Sequence, residues 1–119
     1  MTAPVRSKDI AVDYDALLDR ARKASELLKA LSHESRLLIM CLLTDGEKSV
    51  SELEEIMTLP QAAVSQQLAR LRFDRLVDTR RDGRVIYYSI SDPEIRKVIE
   101  TLYTLFCEPI ISPKKSKQK

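Results

Sequence analysis

Apolar residues along the chain recur at spacings that divide it into elements. Between Tyr14 and Leu31, the positions Leu17, Leu18, Ala21, Ala24, Leu27 and Leu28 predict an amphipathic helix. Ser32 is the expected N-cap of a second helix running to about Thr44, with Asp45-Gly46 ending it. That helix carries Leu37-Leu-Ile-Met-Cys-Leu-Leu43, apolar nearly all round, so it is expected to be central and covered on several sides. Ser49-Val-Ser-Glu52 is a capping box that opens a third helix. A turn at Thr58-Leu59-Pro60 leads into Gln61-Ala-Ala-Val-Ser-Gln-Gln-Leu-Ala-Arg-Leu-Arg72, where Val64, Leu68 and Leu71 share one face. Asp82-Gly83 then lies between Val77–Arg81 and Arg84–Tyr88, a hairpin signal that predicts a type I′ turn. Ser91-Asp92-Pro93-Glu94 starts a last helix, ending near Cys107 before Pro109 and Pro113. Its residues Ile95, Val98, Ile99, Leu102, Tyr103, Leu105 and Phe106 form a broad apolar face.

The resulting order, α-α-α-α-β-β-α, is mainly helical with a β-hairpin wing and describes a winged helix–turn–helix. A chain of 119 residues accommodates one such domain. Residues 14–108 form it, between a flexible N-terminal arm (1–13) and a basic C-terminal tail (109–119). The first and last helices are more apolar than a core of this size needs. Either they pack within the subunit or they join two subunits. Helix–turn–helix proteins usually dimerise because one reading helix reaches few base pairs, so a homodimer through these two helices is expected.

Net charge is only +2, but its distribution is uneven. From Gln61 to Ser91 six Arg face three Asp, a local balance of +3, which leaves −1 for the remainder. Positive charge thus gathers on the reading helix and wing, where duplex phosphates would be met. Gln61, Ser65, Gln66 and Gln67 are candidates for base edges or phosphates, and Arg70, Arg80, Arg81 and Arg84 for the backbone. Each could equally be a solvated residue of a helix or wing. Double-stranded operator DNA is the expected partner; a winged helix that binds protein instead is the alternative.

The longest apolar run, Leu37 to Leu43, is too short to span a bilayer, and the first residues lack the apolar core of a signal peptide. A cytoplasmic protein without membrane contact is expected. Catalysis would need an activated nucleophile with an adjacent base, whereas the chain has one His, two Gly and no phosphate-binding loop. No enzyme activity and no cofactor are expected. His33 is either a ligand or pH sensor, or a helix-start residue bonded to backbone. One His and two Cys are too few nitrogen and sulfur ligands for a closed tetrahedral metal site within a subunit. Cys41 lies on the central apolar helix and Cys107 at the end of the last one, 66 residues apart, so any link between them is tertiary. Each is either a small hydrophobe or a reactive thiol, and the helix end makes Cys107 the more exposed of the two.

Three separated motifs, Leu31-Ser-His-Glu-Ser-Arg-Leu-Leu-Ile39, Val64-Ser-Gln-Gln-Leu-Ala-Arg-Leu71 and Arg80-Arg-Asp-Gly-Arg-Val-Ile-Tyr-Tyr-Ser89, resemble those of the ArsR/SmtB repressors over roughly residues 15–107. Pro60-Gln-Ala-Ala63 departs from that family's usual helix start. The resemblance implies a dimeric repressor that leaves DNA when an inducer binds. Val50-Ser-Glu-Leu-Glu-Glu-Ile56 lacks the sulfur ligands of the arsenic and cadmium sensors, and Asp92–Cys107 lacks the His of the zinc sensors. Cys41, Cys107 and Leu102-Tyr-Thr-Leu-Phe-Cys107 are similar to the sulfide- and persulfide-responsive SqrR/BigR branch. In that branch reactive sulfur species bridge the two thiols by a disulfide or a longer polysulfide. The resemblance therefore makes Cys41 and Cys107 the sensing thiols. A general thiol-oxidation or metal-responsive repressor is the alternative.

Overall fold

The computed structural model describes residues 11–107. The N-terminal arm up to residue 10 and the tail beyond Cys107 lie outside the described residues, as do Pro109 and Pro113. Helix α1 (Tyr14–Ala30) is capped by the Asp13 carboxylate, and α2 (Glu34–Leu42) by His33, whose Nδ1 accepts from the Ser35 N–H at 3.2 Å. The cap expected at Ser32 therefore sits one residue later. Ser32 instead closes α1, its hydroxyl donating to the Lys29 carbonyl at 2.8 Å. The backbone-bonded alternative for His33 is the one observed. After α2 the chain tightens into a 3-10 turn, Leu43–Asp45, and leaves through Gly46 at φ 144°, a conformation suited to glycine.

A two-residue strand, β1 (Lys48–Ser49), precedes α3 (Val50–Met57), whose capping box forms as the motif predicts. Thr58 ends α3 in the left-handed region, and Pro60 caps α4 (Gln61–Phe73). The wing strands β2 (Val77–Asp82) and β3 (Val85–Ile90) pair antiparallel, and β1 adds to β3 to give the order β1-β3-β2. The hairpin is thus part of a three-stranded sheet, one strand wider than the sequence pattern implied. Its turn also differs from expectation. Asp82 pairs with Val85, so Gly83 and Arg84 form the loop, and only Gly83 has positive φ, at 65°. A type I′ turn needs both; glycine first is the type II′ requirement. Helix α5 (Pro93–Phe106) starts from the Asp92 cap with Pro93 inside its first turn.

Ile39, Met40, Leu43, Leu53, Val64, Leu68, Leu71 and Ile99 are fully buried and bind α2, α3, α4 and α5 into one core. The outer helices contribute little to it. In α1 only Ala30 is buried, and in α5 only Ile99. Tyr14, Leu17, Leu28, Val98, Leu105 and Phe106 remain exposed on these two helices. Among the described residues no helix is long and apolar enough to cross a membrane.

Candidate DNA-reading face and thiol pair

Burial of Val64, Leu68 and Leu71 fixes the roll of α4. Gln61 and Gln66 are consequently exposed and Ser65 half-exposed, so these three can meet a groove. Gln67 is turned aside. Its Oε1 accepts from the Arg36 guanidinium at 3.2 Å, and the same guanidinium donates to the Ala30 carbonyl at 2.7 Å. Arg36 thereby ties the end of α1 to α4, and Gln67 serves that brace.

The arginines separate in a similar way. Arg70 pairs with Asp74 at 3.0 Å across one helical turn. Arg80 grips Glu47 through two guanidinium nitrogens, the closer pair at 2.6 Å, and lies 4.8 Å from the Tyr87 ring centre. That carboxylate holds Arg80 in its charged form, and Arg80 in turn lowers the Glu47 pKa. The pair is exposed, so it competes with solvent and salt. Arg81 and Arg84 are exposed at the wing tip, and no ion pair is recorded for them among the described residues. They are the wing cations freest to meet phosphate. Charge patterning could not separate Arg80 from its neighbours, because its partner lies 33 residues away.

The thiol pair lies where α2 meets α5. Cys41 belongs to the core, on the face of α2 that packs against α5, and Cys107 caps the C-terminus of α5 in a half-exposed position. Sixty-six residues apart in sequence, the two side chains meet. Burial pushes the Cys41 thiol up to about 11; Cys107 adds to the rise by repelling a second thiolate and by accepting the Cys41 S–H hydrogen bond. Cys41 is therefore protonated at neutral pH and shielded from solvent, while Cys107 is reachable. Both thiols are free. Among the described residues no group of three His, Cys, Asp or Glu gathers as metal ligands would.

Residues 33–79 match the model of the bacterial regulatory protein, arsR family. The transcriptional activator HlyU of Vibrio cholerae is 46% identical over 85% of this chain and 94% of its own length. The chain belongs to the arsR family. Its fold agrees with that of solved members: reduced HlyU from Vibrio cholerae superposes with TM-score 0.74 at 43% identity, over 77% of this chain and 97% of that one. The transcriptional repressor BigR from Xylella fastidiosa gives 0.72 at 38% identity, over 81% and 98%. This arsR-family protein is a DNA-binding transcriptional regulator and not an enzyme.

The raised pKa of Cys41 makes a direct prediction. In the native protein, alkylation of Cys41 should stay slow through neutral pH and accelerate only as pH approaches 11, whereas the unfolded chain should follow an ordinary thiol near 9.0. Replacing Cys107 by Ala should move the native midpoint downward but leave it above 9.0, since burial is the larger cause. By linkage, the stability associated with the protonated thiol is present below pH 9 and lost as pH rises towards 11. Peptide-resolved labelling against pH measures this; rapid native labelling of Cys41 at neutral pH would contradict it.

Proposed function

We propose that this regulator is a dimeric repressor that senses reactive sulfur species through Cys41 and Cys107 and then releases its operator. The observation that carries the reading is the meeting of one buried and one accessible thiol from two different helices. A cysteine kept only as a core hydrophobe gains nothing from a second thiol beside it. The similarity to BigR and to a relative solved in its reduced form supports the reading.

The chemistry follows from the asymmetry. The Cys107 thiolate attacks the terminal sulfur of a low-molecular-weight persulfide, RSSH; the donor S–S bond breaks, RS⁻ leaves, and Cys107 becomes a persulfide. The Cys41 sulfur then attacks the inner sulfur of that group. Its proton departs with the leaving hydrosulfide as H₂S, and a Cys41–Cys107 disulfide remains. A second donor molecule would first lengthen the Cys107 persulfide by one sulfur, and closure would then give a trisulfide. A protonated partner at about 11 is a poor nucleophile toward dilute oxidants. Held against a persulfide already bonded to Cys107, it needs no encounter, only proton loss to the leaving group.

The exposed apolar residues on α1 and α5 supply the dimer surface: Tyr14, Leu17 and Leu28 on one helix, Val98, Leu105 and Phe106 on the other. A bridge from α2 to α5 acts on the helix that would join the subunits, and so on the spacing of the two α4 helices. A coupling of about 1–3 kcal/mol lowers affinity roughly 5- to 150-fold, which is enough for a switch. Gln61, Ser65 and Gln66 face the bases in this reading, and Arg81 and Arg84 the phosphates; the tail beyond Cys107 is not needed for it.

Two experiments follow. In fluorescence anisotropy on a labelled operator duplex, a persulfide donor should weaken binding by the wild type, and Cys41→Ser and Cys107→Ser should bind when reduced but ignore the donor. Normal release by either single variant would defeat the two-thiol switch. The second experiment separates the wing arginines. Arg81→Ala combined with Arg84→Ala should weaken binding to all duplexes and reduce the salt slope by about one to two counterions. Arg80→Ala, which breaks a protein ion pair, should leave that slope nearly unchanged. A larger slope change for Arg80→Ala than for the double variant would reverse the assignment.

A further inference from the structure

The thiol pair occupies the C-terminal end of α5, and its N-terminal half carries a separate contact. The half-buried Arg96 donates through Nη1 to the backbone carbonyl of Thr44, in the 3-10 turn that follows α2. The Thr44 hydroxyl donates in turn to the carbonyl of Cys41 at 2.7 Å. Two residues beyond the 3-10 turn, Glu47 holds Arg80 of β2, and Lys48 pairs with Tyr88 of β3 while its ammonium meets Asp45 at 2.7 Å. Residues 43–48 are thus anchored at three points: to α2 beside the buried thiol, to α5 through Arg96, and to both wing strands.

We infer that Arg96 is a positioning residue that transmits the position of α5 to the wing through residues 44–48. Three features of the contact carry this. Guanidinium to carbonyl is a charge-assisted bond, stronger than a neutral one and fixed in direction. Leu43 is fully buried, so the turn cannot absorb a pull from α5 by swinging into solvent. The Glu47–Arg80 grip then hands any displacement of the turn to β2, whose far end holds Arg81. Arg96 and Cys107 stand eleven residues apart on one helix, roughly 16 Å along its axis. A bridge that draws in the Cys107 end of such a rod tilts the Arg96 end. The wing, and not only the spacing between reading helices, is then a receiver of the thiol signal. This inference rests on the proposed thiol switch for its trigger, but the mechanical link from α5 to the wing exists without it.

Arg96→Met keeps the stem of the side chain and removes the donor; Arg96→Lys keeps a shorter charged donor. In both, peptide mass mapping after persulfide treatment should find the Cys41–Cys107 bridge at wild-type yield. Operator release, roughly 5- to 150-fold in the wild type, should fall to about twofold or less in Arg96→Met and recover in part in Arg96→Lys. Glu47→Gln, which weakens the grip on Arg80 outside α5, should uncouple release in the same way. A purely structural role for Arg96 would lower stability without separating bridge formation from release. In the reduced proteins, hydrogen exchange should rise in Arg96→Met at residues 44–48 and along β2, with α4 unchanged. Full release by the bridged Arg96→Met protein, or an exchange change confined to α5, would overturn the proposal. If the wild type forms no bridge, the thiol switch itself fails, and the exchange measurement alone decides whether α5 drives the wing.

Discussion

Cys41 is packed in the core with its sulfur against Cys107, and this contact between α2 and α5 is the constraint on which the proposed switch depends. The burial that makes Cys41 a good core residue also disfavours its thiolate. In the proposed switch that asymmetry imposes an order on the chemistry: the accessible sulfur is modified first, and the buried one closes the bridge. Because the two thiols belong to different helices, closing the bridge fixes one helix to the other. The switch proposed above would need no ligand cavity, since the packed interface would itself be the receptor.

The polar side chains of the reading elements divide into those held by contacts within the protein and those left exposed. Arg36 fastens the end of α1 to α4 through Gln67, and Glu47 fastens the root of the wing through Arg80. Arg70 is partly spent on Asp74. Of the candidate contact residues, Gln61, Ser65 and Gln66 on α4 and Arg81 and Arg84 on the wing remain outward. The side chains that position are as polar as those that can read, so residue type alone does not separate them.

This explains how far the sequence was legible. Periodicity and caps are local, and the local features were read well: the capping box at Ser49 and Glu52, the face of α4, the extent of α5 and the two wing strands all follow from neighbours a few residues apart. The local misreadings had local competitors. His33 and Ser32 can both cap a helix, and Asp82-Gly83 and Gly83-Arg84 both place glycine in a two-residue turn. Strand β1 escaped because two residues carry no period and owe their conformation to β3. Partners far apart in sequence, such as Arg36 with Gln67, Arg80 with Glu47, and Arg96 with Thr44, left no signal at all. The pairing of Cys41 with Cys107 was legible only through resemblance to a family branch; the packing of α2 on α5 now supports it physically.

The most direct test of this account is peptide mass mapping of the reduced protein before and after brief exposure to a persulfide donor, in the wild type and in Cys41→Ser. The account predicts an intramolecular peptide pair joining Cys41 to Cys107 in the wild type, by two sulfurs or more, and a persulfide trapped on Cys107 in Cys41→Ser. Modification that begins at Cys41, or sulfur bridges formed only between separate chains, would contradict it.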